Sequence, residues 1–340
     1  MKRAASPIVV MRDMTRKLRS VLLVFAFTTL CGRAFAQLAP SVEVSATSTA
    51  ATAPSPAPYS LPWHLRPVTA GTVLRSDNSI AFYEDSHARS GTTFVSTLLA
   101  SYKVPGTGAS GEGLAPLIRL AMSHDPPPNG TGGTAVVNPL LGASYARKYG
   151  NFRANAFLGV TLPIGYGGGD SPSAGAADAR SKGIFARASM DNALFAVNDL
   201  TVIPGISAAY LRNGFTLQAE TTLLQLTRVR GAASQHEASK TNLTCGLHAG
   251  YFLLPTLSAG GDVRYQLWLN APIAIEKQRD TANNNAGIDN LTAAAGFRYH
   301  AHIEGIGWFR PGVSYGRGLD KPTAGAANYH LMQVDFPLQF

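Results

Sequence analysis

The chain has 340 residues, a formal net charge of +9, only 14% charged residues and 34 glycines. A soluble domain of ordinary composition carries more charge and less glycine. After residue 36, no apolar run reaches the ~18 residues that a membrane-spanning helix needs, which excludes a helical membrane protein. A mean hydropathy near zero is typical of a β-barrel in which lipid-facing and lumen-facing residues alternate. A secreted, soluble all-β protein is the alternative.

The first 36 residues have the organisation of a secretory signal peptide. Lys17 and Arg19 precede an apolar core that begins at Val21, and Ala34-Phe35-Ala36 predicts cleavage after Ala36. This segment holds seven of the 29 Lys and Arg residues and one of the 20 Asp and Glu residues, so the rest carries a formal charge of +3. The basic character therefore belongs to the targeting signal, and we expect no nucleic-acid partner.

The exported chain divides into a tail and a region of strands. Residues 37–60 are rich in Ala, Ser, Thr and Pro, and we expect 37–70 to be a disordered periplasmic segment. From 71 to 340, apolar and polar residues alternate with a period of two, which predicts strands. Cys245 is the one cysteine after the signal peptide, so no disulfide within the exported chain is predicted, and no cofactor is expected.

The strands and their connections predict an all-β fold: a transmembrane, antiparallel, up-and-down β-barrel of the outer-membrane type. Twelve strands are predicted, at 71–84, 92–103, 114–124, 134–147, 151–163, 199–211, 214–229, 240–253, 256–269, 289–301, 303–316 and 328–340. Periplasmic turns are short and extracellular loops long in such barrels. Both termini are therefore expected to be periplasmic, and 163–198 is expected to be a large loop that is surface-exposed or folded into the mouth.

The final strand predicts how the protein is assembled. Phe336, Leu338 and Phe340 continue an alternation that begins at Met332, and the chain stops on an aromatic residue. Such an ending resembles the signal read by the outer-membrane barrel assembly machinery. Expected partners are therefore this machinery, outer-membrane lipids, lipopolysaccharide and a small-molecule solute. An ordinary edge strand of a soluble sheet is the alternative.

Charged and histidine side chains fall on the face opposite the apolar one, and are expected to face the lumen. The set assigned to the lumen and solute pathway is Arg75, Asp77, Arg119, Arg153, Glu220, His248, Asp262, Arg264, Arg298, His300 and Arg310. The excess of arginine predicts a mildly cationic interior that prefers anions or carboxylated aromatics. A structural salt-bridge network that fills the barrel is equally compatible with the pattern. Twelve strands lie between the filled eight-stranded barrel and the open sixteen-stranded pore, so a narrow or plugged channel is expected.

Enzymatic motifs are weak. Gly312-Val313-Ser314-Tyr315-Gly316 matches G-x-S-x-G, but the following residues cannot supply the helix that a nucleophile elbow needs. The His-x-Ser pair of outer-membrane phospholipases does not occur in the sequence. We therefore predict no enzyme, with a lipid-modifying enzyme as the least favoured alternative.

Residues 70–340 resemble a family of outer-membrane transporters, the MetA-pathway of phenol degradation family. The residues behind this are Val160-Thr161-Leu162-Pro163-Ile164-Gly165, the Gly/Asp-rich loop that follows, and Leu200-Thr201-Val202-Ile203-Pro204-Gly205. Ile164 stands where the family tends to have Thr. The resemblance implies a channel or transporter for small, hydrophobic or aromatic solutes. The alternative is a structural or adhesive outer-membrane barrel with a blocked lumen.

Overall fold

Twelve long strands close into a β-barrel in the computed structural model, which describes residues 59–84, 90–126, 132–188, 190–231, 238–273, 288–319 and 328–340. In chain order the strands are β1 (Val73–Glu84), β2 (Ser90–Ser101), β3 (Gly113–Asp125), β4 (Gly133–Val136), β5 (Leu140–Tyr149), β6 (Phe152–Thr161), β7 (Asp199–Arg212), β8 (Phe215–Arg228), β9 (Ser239–Leu254), β10 (Leu257–Asn270), β11 (Asp289–Tyr299), β12 (Ala301–Ile303), β13 (Gly307–Phe309), β14 (Gly312–Gly318) and β15 (Asn328–Gln339). The predicted signal peptide, 1–36, and residues 37–58 of the predicted tail lie outside the described residues.

The barrel is an up-and-down antiparallel meander, as the sequence predicts. Each long strand pairs with the next one, while β4 and the β12–β13 hairpin are short additions. Strand β15 pairs with β1 along its length, from Val73 opposite Gln339 to Glu84 opposite Asn328. This pairing closes the sheet, so the twelve long strands form a ring without a free edge.

Two predicted strands differ from those observed. The predicted strand 134–147 is interrupted between β4 and β5 at residues 137–139, because Pro139 has no N–H for the ladder and the N–H of Asn138 donates instead to Leu194 O at 2.9 Å. The predicted strand 303–316 begins only at Gly312, because the residues before it form the β12–β13 hairpin.

The connections distinguish two ends of the barrel. Two residues join β5 to β6, β7 to β8 and β9 to β10 at what we call the turn end. The connections at the opposite loop end include the longest one, 162–198. Asn213 and Gly214 form one of the tight turns with φ of 49° and 80°, and these residue types adopt such left-handed conformations at least cost.

Side chains alternate between an apolar exterior and a polar interior. Phe297 is 55% exposed and its neighbour Arg298 is 1% exposed, and the corresponding values for Val263 and Asp262 are 44% and 2%. The apolar face is therefore on the outside of the barrel. Within the described ranges, none of the helices is both long and apolar enough to cross a membrane.

Residues 59–70 correct the expectation that all of 37–70 is disordered. They lie inside the barrel at the turn end, and Trp63, Leu65 and Val68 are buried. The physical reason is their composition: unlike the Ala/Ser/Thr/Pro-rich residues before them, they carry large apolar and charged side chains that have partners on the interior wall.

The connection 162–198 also folds inward, which is one of its two predicted positions. It contains a helix at Ala174–Gly183, a 3-10 turn at Ile184–Arg187 and a short helix at Asn192–Phe195. Phe185 packs between Tyr83 of β1 and Tyr329 of β15, with ring centroids 5.0 and 6.1 Å away. An apolar cluster thus fills the interior at the loop end, and we call 162–198 the inward loop.

Candidate functional site

All eleven residues that the alternation assigned to the lumen face the interior. Nine are buried, while Arg119 and Arg310 are half-buried. Ten lie on strands. Arg310 lies between β13 and β14, and it lines a cavity of about 90 Å³ between residues 61–71 and the barrel wall, which is room for a few waters. Seven of the eleven residues belong to an ion-pair network or to one of two docking surfaces.

Asp335 is the centre of the ion-pair network. Its two oxygens accept hydrogen bonds from Nη1 and Nη2 of Arg298, both at 2.8 Å, and Oδ2 also lies 2.6 Å from Nη2 of Arg75. Nε of Arg75 donates to Oδ1 of Asp77 at 2.8 Å. Gly312 stands between Arg298 and Asp335 in the sheet, and because it has no side chain the two can meet. Two arginines and two carboxylates compensate one another here, which favours the structural interpretation for these residues.

Residues 59–70 dock on β10 through Asp262. Oδ2 of Asp262 accepts hydrogen bonds from the backbone N–H of Trp63 at 2.9 Å and of His64 at 2.8 Å. Oδ1 lies 2.6 Å from Nδ1 of His248 on β9. This single buried carboxylate therefore fixes the backbone of the inserted segment at two consecutive residues.

Further anchors are distributed around the barrel. They join Tyr59 to Gln218 at 2.7 Å, Arg66 to Glu220 at 2.9 Å, Asn155 to Pro67 O at 2.8 Å, and Arg75 to Trp63 O at 3.0 Å. The wall residues belong to β1, β6 and β8, and β10 adds Asp262. Because these strands lie on different sides of the ring, residues 59–70 cross the interior rather than lining one wall.

Burial changes the titration of two side chains in this segment. It lowers the pKa of His64 to about 4, although the charge of Asp262 acts in the opposite direction. It also raises the pKa of the Tyr59 hydroxyl above its usual range, against the hydrogen bond that this oxygen accepts from Val68 N–H. His64 is therefore neutral at pH 7 when the segment is docked.

The inward loop docks from the opposite end. Oδ2 of Asp191 accepts from Nη2 of Arg119 at 3.1 Å and from Nε of Arg187 at 2.8 Å. Burial raises the pKa of Asp191, but the guanidinium groups of Arg119, Arg187 and Arg264 more than reverse the effect and hold it below its usual range. Nδ2 of Asn192 donates to Oε1 of Gln266 on β10 at 2.6 Å. The loop therefore has polar anchors on both sides of the interior.

The remaining predicted residues have separate surroundings. Nε2 of His300 lies 2.8 Å from Oγ of Ser258. Arg153 is buried at the turn end, near the ring of Tyr59. Arg264 lies between the two docked stretches, and forms no hydrogen bond or ion pair with the described part of the chain.

Sequence reasoning missed the residues that fill the interior from outside the strands. Trp63, His64 and Arg66 lay in a segment predicted to be disordered, and Arg187 and Asp191 lay in a loop without periodicity. One signal was present: the Ala/Ser/Thr/Pro-rich composition ends before Trp63-His64-Leu65-Arg66, a run of aromatic, apolar and basic residues.

The weak enzymatic motif lies in an ordinary strand. Ser314 is in the interior of β14, which continues to Gly318 without the turn and helix of a nucleophile elbow. Within the described ranges, no group of three His, Cys, Asp or Glu side chains is placed to bind a metal ion.

Comparison with known proteins shows the fold. No family model matches the chain, and no curated protein matches its sequence. An outer-membrane channel from Pseudomonas putida F1 aligns with 82% of this chain and 97% of its own, at 12% identity and a TM-score of 0.50. The fold is that of an outer-membrane β-barrel. The NanC porin aligns with 78% of this chain and 100% of its own, at 8% identity and a TM-score of 0.48.

Proposed function

We propose that the chain is an outer-membrane channel or transporter for small solutes, closed in this structure by residues 59–70 and the inward loop. The character of the interior carries the proposal: charged side chains line it, and hydrogen bonds and ion pairs hold residues 59–70 beside a small apolar cluster with Ala209 and Leu211. Water can replace such contacts at modest net cost. The polar contacts of the segment can therefore be exchanged for contacts with water when it leaves the lumen.

Location in the outer membrane is part of the proposal. The predicted signal peptide, the apolar exterior and the barrel fold support it, with lipids and lipopolysaccharide as the surroundings. Strand β15 pairs with both β14 and β1, so it closes the barrel, and its exposed Phe336, its half-buried Leu338 and the exposed Phe340 at its end fit a signal for the assembly machinery. Deletion of Phe340 is expected to lower the amount of folded barrel in outer-membrane fractions. Unchanged amounts would contradict this role.

The solute class rests on the resemblance to transporters of aromatic-degradation clusters. Uptake of a panel of aromatic acids and neutral aromatics by a deletion strain, with and without the complementing gene, tests it. We expect uptake of at least one aromatic class to fall in the deletion strain. Equal uptake of every compound by both strains would contradict the assignment.

Channel activity is tested by single-channel recording in planar bilayers. The exported chain and a variant with both 59–70 and the inward loop replaced by flexible Gly/Ser linkers provide the comparison. We expect rare openings from the exported chain and frequent openings from the variant, because both stretches that fill the interior are removed. Absence of conductance from both folded proteins would contradict the channel proposal.

A barrel with a blocked lumen, acting through its loops as a structural or adhesive protein, is the second candidate. The filling of the interior from both ends favours it. This function requires no opening, so it predicts that the linker variant is as silent as the exported chain.

A further inference from the structure

Arg264 is a buried cation without a partner in the middle of the barrel. Its side chain extends from β10, is 7% exposed and forms no hydrogen bond or ion pair with the described part of the chain. One terminal nitrogen, Nη1, is buried and unpaired. Because a buried charge without a hydrogen-bonded counter-charge is unfavourable, this position favours the binding of a further anion.

Arg264 lies where the two inserted stretches meet. Along β10, Asp262 binds the backbone of residues 63–64, and Gln266 binds Asn192 of the inward loop. Arg264 is the lumen-facing residue between these two anchors. Its guanidinium is therefore directed at the junction between the segment from the turn end and the loop from the loop end.

The acidic side chains that act most strongly on Arg264 already have other partners. Glu220 is paired with Arg66 at 2.9 Å, and Asp262 accepts from two backbone N–H groups and contacts His248. Asp191 is shared by Arg119 and by Arg187. Within the described part of the chain, none of these three carboxylates is left over, so Arg119, Arg187 and Arg264 around Asp191 keep an excess of positive charge.

Arg187 provides a second unused donor, close enough to Arg264 for its charge to act on that residue. It is 3% exposed, its Nε is used by Asp191, and its Nη1 is buried without a partner. Two guanidinium groups with unused N–H donors match the two oxygens of one carboxylate. We propose that Arg264 and Arg187 bind the carboxylate of a small organic anion on its way through the barrel.

The remainder of such an anion has an apolar neighbour. Leu65 packs on Gly246, the residue opposite Arg264 on β9, and its Cγ is 3.0 Å from the place that a Cβ on Gly246 would take. A solute with a carboxylate at one end and an apolar body at the other fits this pairing. The inference rests on the proposed channel function, and it specifies a carboxylated solute.

Isothermal titration calorimetry of the folded exported chain in detergent tests the site, with benzoate as the probe and benzamide as its uncharged counterpart. We expect benzoate to bind at least ten times more tightly than benzamide. Arg264→Gln is expected to weaken benzoate binding at least tenfold and leave benzamide binding unchanged. The matched control is Arg317→Gln, which removes an exposed arginine and is expected to bind benzoate like the parent. Thermal unfolding should show that Arg264→Gln is at least as stable as the parent, because no contact is lost.

Three results would overturn the inference: no benzoate binding to the parent, equal affinities for benzoate and benzamide, or unchanged benzoate affinity in Arg264→Gln. Displacement of benzoate by an equal concentration of chloride would also overturn it and assign the site to halide ions. Conductance separates this inference from the proposed function. A channel that conducts without binding benzoate contradicts only the site, and a protein that binds benzoate without ever conducting contradicts only the channel.

Discussion

Replacing Asp262 by alanine is expected to release residues 59–70 from the lumen. The change removes the two hydrogen bonds that the carboxylate accepts from the N–H groups of Trp63 and His64. A hydrogen bond to a charged group contributes about 1.5–3 kcal/mol, so the docked state loses about 3–6 kcal/mol. About 1.4 kcal/mol corresponds to a factor of ten, so the ratio of docked to released segment falls by roughly 100-fold or more.

Cysteine labelling measures this ratio. Val68 is 1% exposed when the segment is docked, so a cysteine at this position, in a Cys245→Ser background, reports release through its reaction with a water-soluble maleimide. Asp262→Ala should raise the labelling rate roughly 100-fold or more, as the released population rises. The matched control is Ser258→Ala on the same face of β10, because Ser258 bonds to His300 rather than to the segment. Equal rates in Asp262→Ala and the parent, or equal rates in the two variants, would show that Asp262 does not hold the segment in the lumen.

Other consequences concern the ion-pair network, protonation and the exterior. Asp335→Asn leaves Arg75 and Arg298 without their shared counter-charge and should destabilise the folded barrel by about 3–5 kcal/mol in urea unfolding; a loss below about 1 kcal/mol would show that the network contributes little. Burial lowers the pKa of His64 from 6.5 to about 4. The contribution of neutral His64 to the free energy of docking is therefore complete above pH 6.5 and is lost as the pH falls to about 4. This contribution is on the order of 3 kcal/mol. The labelling rate at position 68, corrected for intrinsic thiol reactivity, should therefore rise on acidification in the parent and stay nearly constant in His64→Gln. The same rise in both proteins would show that a group other than His64 causes the pH dependence. Val263 lies on the exterior near the middle of β10, so Val263→Arg should make the free energy of membrane insertion less favourable by about 2–4 kcal/mol. Tyr299→Arg, at the end of β11, should have a smaller effect. Equal insertion of Val263→Arg and the parent would contradict the lipid-facing assignment.

The barrel follows from the sequence because period-two alternation repeats along nearly every strand. Phe297 and Arg298 illustrate the rule: neighbours in the chain must face opposite sides of a sheet, and their chemistry decides which side is apolar. The turns are equally local, since Asn213-Gly214 specifies a tight hairpin by itself. The lumen-facing set follows from the same rule, which is why all eleven residues lie inside.

Pairing within the lumen does not follow from alternation. Arg298 meets Asp335 across an intervening strand only because Gly312 lacks a side chain, and this depends on the register of three strands. Asp262 and Arg264 share one face of β10, yet the first has three partners and the second has none in the described chain. The difference comes from segments that enter the lumen from outside the strands, whose positions are set by long-range contacts and not by any local period.

A reversible disulfide cross-link between residues 59–70 and the barrel wall tests whether this segment closes the channel. Cγ of Leu65 lies 3.0 Å from the place of a Cβ on Gly246, so cysteines at these two positions, with Cys245→Ser, are within reach of a disulfide. Single-channel recording of the same preparation before and after reduction is the measurement. We expect no openings while the disulfide is intact and openings after reduction, because the segment can then leave the lumen. Equal conductance in the oxidised and reduced states would contradict it.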